Sequence, residues 1–568
     1  MNNELSLTEF ASDPDTVSFI IRASEYVINL IKDNPKIKLA NTLLDKYIYT
    51  YVNKNDIDEI VRVFGSNLLS ISPAVYGLLD EASLGASGIT QVHEQPFLDL
   101  MGTGVLVGIV DTGIDYTNDA FRYEDGTSKI VSIYDETMTI KPPPFDFILG
   151  TEFTNEEINN ALNSENPLDI VPSTDTVGHG TFLASLAAGR KRNGYGGAAP
   201  DAELVVVKLR KARSFWIEKY LVPPEQENVF DGIAIMAGIE YIVRKANSLN
   251  RPVAICLGLG SNLGSHNGYS IFEELLYNIS TTSGICICAA AGNQSQARAH
   301  TQGVIARQGE TQNIEFRVAE QSNIFINIRN EVANRISVSL KSPTGEIIER
   351  VPAKSGTLYS TRLILERARV DIEYFFPMPF TGGQITIIRL LDATPGIWTI
   401  TIHGDIILEG NFHAYLPMIG LGPPGVEFLS PTPEYTVVVP ATSFGVIACG
   451  AYDASNNTLY TNSSWGPTTL GFLVPTLVAP GVNVGGIYPA GPGTMTGTSV
   501  AAAITTGACA LMLQWGIVQG NDVSLSAYQI KAFLIRGCER DSNIVYPNNQ
   551  WGYGRLNLLN SFTMMREL

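Results

Sequence analysis

The chain has 568 residues, 45% hydrophobic and 17% charged, which excludes a disordered polymer and leaves room for several domains. Lys+Arg number 38 against 56 Asp+Glu, and the formal net charge of −18 repels phosphate backbones and anionic membrane surfaces, so nucleic acid is not an expected partner. Met1-Asn2-Asn3-Glu4-Leu5-Ser6-Leu7 has no basic stretch leading into an apolar run, and no uninterrupted apolar run of about 18 residues occurs; cytoplasmic synthesis without a signal peptide or transmembrane segment is expected.

Residues 1–80 read as a small α+β unit. Val17–Ile21 and Tyr47–Val52 have strand character, and Glu25–Lys32 and Asp56–Phe64 have helical character. From Ser70 to Leu79 the Ser, Pro and Gly content rises, which predicts an extended exit and a boundary near residue 80.

Val105–Val110 is continuously apolar, as expected of a strand buried on both faces of a parallel sheet. Glu203–Lys208, Pro252–Leu257 and Gly284–Ala291 repeat the pattern, separated by helical stretches at Gly180–Gly189, Val229–Asn247 and Ile271–Ser283. This alternation predicts a doubly wound α/β core, its first part at 81–300.

Between 301 and 434 the texture changes to short alternating segments: Ile314–Val318, Ile324–Ile328, Ile336–Leu340, Arg369–Phe375, Gln384–Leu390 and Trp398–Ile402. Turns such as Ser342-Pro343-Thr344-Gly345 separate them, predicting an inserted β-sandwich or jelly roll. The core resumes over 435–568 with strands at Thr436–Pro440 and Gly445–Cys449, a helix opening at Ser499 and another at Ser524–Gly537.

The six cysteines, Cys256, Cys286, Cys288, Cys449, Cys509 and Cys538, sit among apolar or small residues and read as reduced core side chains. Cys286 and Cys288 lack the usual zinc-ligand spacing, and no EF-hand pattern occurs. No metal or other cofactor is expected.

Four segments carry chemistry. Asp111 ends a buried strand and enters a Thr-Gly turn, at the sheet edge where ligands of such folds bind. His179 lies between Gly178 and Gly180 at the start of a small-residue helix, and Ser499 follows Gly497-Thr498 at the start of another. Asn293 closes Ala289-Ala290-Ala291-Gly292-Asn293. Singly, each also fits a structural role: a turn aspartate, a satisfied core histidine, an N-cap serine, a turn asparagine. Together they supply an orienting carboxylate, a general base, a hydroxyl nucleophile and an oxyanion donor.

In this order, Asp, His, Asn, Ser, the segments resemble the subtilisin-like serine proteases over residues 80–300 and 435–568. The resemblance implies an endopeptidase with Asp111 as orienter, His179 as base and then acid, Ser499 as nucleophile and Asn293 as oxyanion donor. It further implies a substrate-pairing strand at Gly258-Leu259-Gly260 and a pocket for the residue before the cut at Ala290, Ala291 and Gly292. Gly258 replaces the family's usual serine, and Ala503 its usual proline.

Within the family, Ser83–Ile89, Gly113–Thr117, Leu263–Gly268 and Trp551–Gly554 resemble the clostridial Csp germination proteases. That likeness implies a retained prodomain at 1–80, bound in the cleft after self-cleavage between Tyr76 and Ser83. It also implies a jelly-roll insert, spore association, and a protein or peptide substrate such as the zymogen of a spore-cortex hydrolase. Two alternatives stay open: a non-catalytic receptor or scaffold on the same fold, as in members that have lost triad residues, and a lipase or esterase. The latter is disfavoured because no Gly-x-Ser-x-Gly elbow surrounds Ser499.

Overall fold

The computed structural model describes residues 6–65, 70–78, 87–95, 98, 100–191 and 195–565. In the N-terminal unit, helix α1 (Leu7–Ser12) opens on a capping box between Ser6 and Glu9. Strands β1 (Thr16–Arg22), β2 (Ile37–Leu43) and β3 (Tyr47–Asn53) form an antiparallel sheet in the order β1-β3-β2, with helices α2 (Glu25–Lys32) and α3 (Ile57–Phe64). The edge strand β2 was not anticipated: Ile37-Lys38-Leu39-Ala40-Asn41-Thr42-Leu43 has weak alternation, and its pairing with β3 slips between Leu39 and Thr42.

Most of the central sheet is parallel. Its path contains β5 (Leu106–Asp111), β6 (Ile130–Asp135), β7 (Thr151–Thr154), β8 (Glu203–Lys208), β10 (Val253–Leu257), β12 (Ile285–Ala290), β13 (Ile447–Asp453) and β14 (Thr458–Leu459). The order is β14-β13-β12-β10-β5-β8-β6-β7, and β15 (Leu477–Pro480) also pairs with β13. Chain direction along the sheet diverges between β5 and β10, so the carboxyl ends of these two strands border a crevice suited to a ligand. Every residue of β5 is buried, which accounts for its unbroken apolar run ending in a single carboxylate.

Helix α4 (His179–Ala188) and helix α7 (Thr498–Leu513) are wholly buried along their lengths, and tiny side chains let them pack closely beneath the sheet. Among the described residues, Thr498–Val518 is the one helical stretch long and apolar enough to cross a membrane, and 89% of its most apolar window is buried inside the molecule. Helices α5 (Gly232–Ser248) and α6 (Ile271–Ser280) pack in the second hydrophobic layer, and α8 (Ala527–Gly537) lies near the end of the chain.

The strands from His300 to Phe428 form two antiparallel sheets around a shared core that includes Phe316, Ile326, Val338, Ile388 and Trp398. All six segments expected there are strands; His300–Val304, Ile347–Val351, Leu358–Arg362, Asn411–Tyr415 and Val426–Phe428 complete the sheets. One expectation fails at the return to the core. Thr436–Pro440 is no ladder strand; it is an extended crossing segment in which Val438 N donates to Ala291 O and Val439 N to Ser261 O. All six cysteines are free and buried, as expected.

Three short strands form a small separate sheet. Strand β4 (Val75–Leu78), at the exit from the N-terminal unit, lies between β9 (Phe230–Asp231) and β11 (Leu259–Gly260) and is antiparallel to both. The expected cut between Tyr76 and Ser83 falls partly on 79–86, outside the described residues.

Candidate active site

The three expected catalytic residues come from β5, α4 and α7. Asp111 ends β5, and its Oδ1 accepts from Thr112 N at 2.8 Å and pairs with His179 Nδ1 at 2.7 Å. His179 is the first residue of α4, after Gly178 in the left-handed conformation (φ 91°), so the imidazole leaves the helix start with Nδ1 turned to the sheet edge. The carboxylate thereby fixes the imidazole's orientation and favours a proton on Nδ1.

A second carboxylate, Asp175, holds this arrangement together. Its Oδ1 accepts from Thr112 Oγ1 at 2.9 Å and Gly178 N at 2.7 Å, and its Oδ2 from Thr181 N at 2.9 Å and Thr181 Oγ1 at 2.7 Å. Thr112 Oγ1 in turn accepts from Gly180 N at 3.0 Å. Asp175 therefore ties the turn after β5 to the first turn of α4, satisfying helix-start N–H groups that would otherwise be buried without partners. Sequence reasoning missed Asp175 because an acid in a Ser-Thr-Asp-Thr loop has no distinguishing pattern.

Two glycines are required by close approach. A Cβ on Gly180 would fall 2.3 Å from Gly113 O, so any side chain there would push α4 away from the Asp111 turn. A Cβ on Gly258 would sit 2.4 Å from Leu183 Cδ1, 3.0 Å from His179 Cε1 and 3.3 Å from Asp111 Oδ2. Gly258 thus lies directly against the Asp–His pair, and Asp111 Oδ2 is buried with no hydrogen-bond partner among the described residues.

Ser499 is the second residue of α7, whose N-cap is Gly497, so it is not itself the N-cap. Its Oγ is buried and makes no hydrogen bond among the described residues. The nucleophile–base hydrogen bond is therefore not formed in this structure; such bonds tighten in the reacting complex. The N–H groups of the first turn of α7 point out of the helix end, where an oxyanion would gain from them.

Asn293 stands beside this helix start. Its Oδ1 accepts from Thr498 N and Thr498 Oγ1, both at 3.1 Å, and Thr498 Oγ1 also accepts from Gly292 N at 3.0 Å. Anchoring the carbonyl end of the amide fixes the direction of its NH2 end, which suits an oxyanion donor. Thr498, unremarked in the sequence beyond its place before Ser499, is the joint between the two. Ala290 and Ala291 are fully buried at the end of β12, followed by Gly292 in the left-handed region (φ 105°).

At Leu259 and Gly260 the structure holds an occupant. Leu259 pairs with Leu78 and Gly260 with Gly77, while on the far side Val75 pairs with Asp231 and Tyr76 with Phe230. Tyr76 is buried and packs edge-to-face with Phe272 at 5.6 Å. The chain's own segment is the middle strand of a three-stranded sheet on the edge expected to pair with an extended substrate. Asp111, His179 and Ser499 are at most 2% exposed, so the catalytic centre is closed to solvent in this form.

The sequence profile of the subtilase family matches residues 102–344 and 410–554. No curated protein matches the chain. Among solved structures, the CspB protease of Clostridium perfringens is 31% identical, covering 84% of this chain and 96% of its own, with a TM-score of 0.74. The self-cleaved protease domain of PatA is 14% identical over 82% of this chain and 99% of its own, with a TM-score of 0.39.

Proposed function

The chain belongs to the subtilase family and is a serine endopeptidase, and from that premise we propose that its first substrate is itself. Residues 1–80 act as a prodomain that assists folding and then blocks the cleft. The protease core is divided between 81–300 and 435–568, and the sandwich at 301–434 is an insert. The observation that carries this reading is the placement of β4 between β9 and β11, in the position an extended substrate would take. One register step beyond Leu78–Leu259 on β11's side is Gly258, which touches His179. The cut therefore falls just beyond Leu78 and before Ser83.

In the reaction, His179 Nε2 takes the proton of Ser499 Oγ as the oxygen attacks the scissile carbonyl. Asp111 holds the imidazole by Nδ1 and stabilises its cationic form. The carbonyl oxygen, now negative, is met by the Asn293 amide and the N–H groups at the start of α7. His179 then returns the proton to the leaving amine, and water, activated by the same imidazole, releases the acyl group.

In trans, the proposed role is activation of a protein zymogen by limited proteolysis during spore germination, in association with the spore. Likeness to the Csp germination proteases supports it, and the identity to a Csp protease extends over nearly the whole of that chain. The alternative, a non-catalytic scaffold, has no use for the Asp111–His179 hydrogen bond or for the Asp175 network that holds it. N-terminal sequencing of the large fragment tests the proposal: a new terminus inside Leu79–Ser83 is expected, and a chain that keeps only its original terminus would favour the scaffold.

A further inference from the structure

A cavity of about 120 Å³ lies where the N-terminal unit, the α/β core and the sandwich meet. Ala74 and Tyr76 line it from the segment in the cleft, Met236 and Phe272 from α5 and α6, and Arg329 and Asn330 from the sandwich strand Ser322–Asn330. Arg329 is 6% exposed; among the described residues its Nε has no hydrogen-bond partner, and its Nη2 donates to Leu263 O at a long 3.4 Å. Asn330 Nδ2 is likewise buried without a partner among the described residues. A buried guanidinium left in this state is costly unless an acceptor, above all an anionic one, completes it.

The carboxylates that act on Arg329 from nearby are engaged elsewhere. Glu331 accepts from Asn267 Nδ2 and Thr469 Oγ1, each at 2.8 Å, and Glu273 accepts from the hydroxyls of Ser265 and Thr442. The cleft segment approaches the same place. Tyr220, which packs against Phe325 on the strand carrying Arg329, donates its hydroxyl to Pro73 O at 3.1 Å, next to Ala74. Val75 is fully buried on the opposite side of its strand, so Ala74 and Tyr76 share the cavity face. At position 74 the chain's own segment offers a methyl group, beside Ser72, Pro73 and Tyr76, which also line the cavity.

We propose that Arg329 is a specificity-determining residue, which receives a glutamate side chain of the polypeptide lying in the cleft, at the position two residues before that of Tyr76. The inference rests on the proposal that β4 occupies the substrate cleft. Ala74 leaves this subsite unfilled, so a protein substrate with glutamate at that position binds more tightly than the self-cleavage segment and competes with it for the cleft. Arg329 and Asn330 both line the cavity and each has a buried donor without a partner among the described residues, so a carboxylate entering there meets a guanidinium and an amide, and the apolar walls accept its methylenes.

The test uses the full chain with Ser499→Ala, so that no cleavage intervenes and the readout is independent of catalysis. Ala74→Glu and Ala74→Gln are compared by thermal unfolding, each with Arg329 intact and with Arg329→Met. Glutamate is expected to unfold about 2 °C or more above glutamine with Arg329 in place, and to lose that advantage with Arg329→Met or progressively as the pH falls from about 4.5 to about 3, through the lowered value of the paired carboxylate. If Arg329→Met does not fold, the pH arm alone decides. Equal or lower stability of the glutamate variant, or an advantage that survives either removal of charge, would overturn the proposal. Absence of self-cleavage in the wild-type chain would instead sink the protease reading, and leaves this comparison intact.

Discussion

Asp111 divides its two oxygens unequally: Oδ1 holds both His179 and the Thr112 amide, while Oδ2 faces Gly258 with no donor among the described residues. The imidazole is oriented by its hydrogen bond to Oδ1 and by Asp175, which pins both segments that meet there. Asp175→Ala is expected to lower kcat by about tenfold or more through misplacement of His179, with a smaller change in KM; steady-state kinetics on a peptide substrate check it. Asn293→Ala, which removes an oxyanion donor, is expected to cost about 10²–10³ in kcat. At this scale the sequence was most informative where backbone must approach backbone, because only glycine and tiny residues permit it, as at Gly178-His179-Gly180 and Gly497-Thr498-Ser499. Asp175 was illegible because its partners, at positions 112, 178 and 181, define it only after folding.

In the proposed reading, strand β4 and its two neighbours are the element on which inhibition turns. Each flanking strand has only two residues, so pairing alone holds the segment weakly, and the N-terminal unit must supply the rest. Arg213 makes one such link, donating to the carbonyls of Ala11, Asp13 and Thr16 from the start of the helix Ser214–Lys219. Arg22 adds an ion pair to Glu274 on α6. Arg213→Ala is expected to loosen the N-terminal unit, seen as faster trypsin digestion of residues 6–65 while the core persists; unchanged digestion would place the anchoring elsewhere. The long apolar strands and the alternating sandwich strands were readable from periodicity alone. Strands β4, β9 and β11 were not, since runs of two to four residues carry no period and take their identity from one another.

In the whole molecule, three buried histidines lie where the sandwich joins the core. His266 stacks on Tyr415 at 4.1 Å, His300 on the same ring at 4.6 Å, and His300 hydrogen-bonds His413 at 3.2 Å. Burial pushes His266 down to about 3 and His413 to about 4, and His300 is also depressed. The folded state thus keeps these rings neutral where the unfolded chain, with an ordinary value near 6.5, binds protons. Stability is expected to fall as pH drops from about 6.5 towards 4, and a lower unfolding temperature at pH 4.5 than at pH 7, reduced in His413→Gln, would be the sign. The architecture of an α/β core with an inserted sandwich was legible because the two textures differ sharply in period. The crossing segment at Thr436–Pro440 was mistaken for a strand because apolar β-branched residues fill it, whereas its neighbours offer only isolated pairing.

The central claim is that Ser499 cuts its own chain beyond β4 and leaves the N-terminal unit seated in the cleft. Intact-mass spectrometry of the purified wild-type chain beside Ser499→Ala measures it directly. Two fragments whose junction lies between Leu78 and Ser83 in the wild type, and one uncut chain in the variant, are predicted. A wild type that stays whole, or a variant cut at the same bond, would contradict the account.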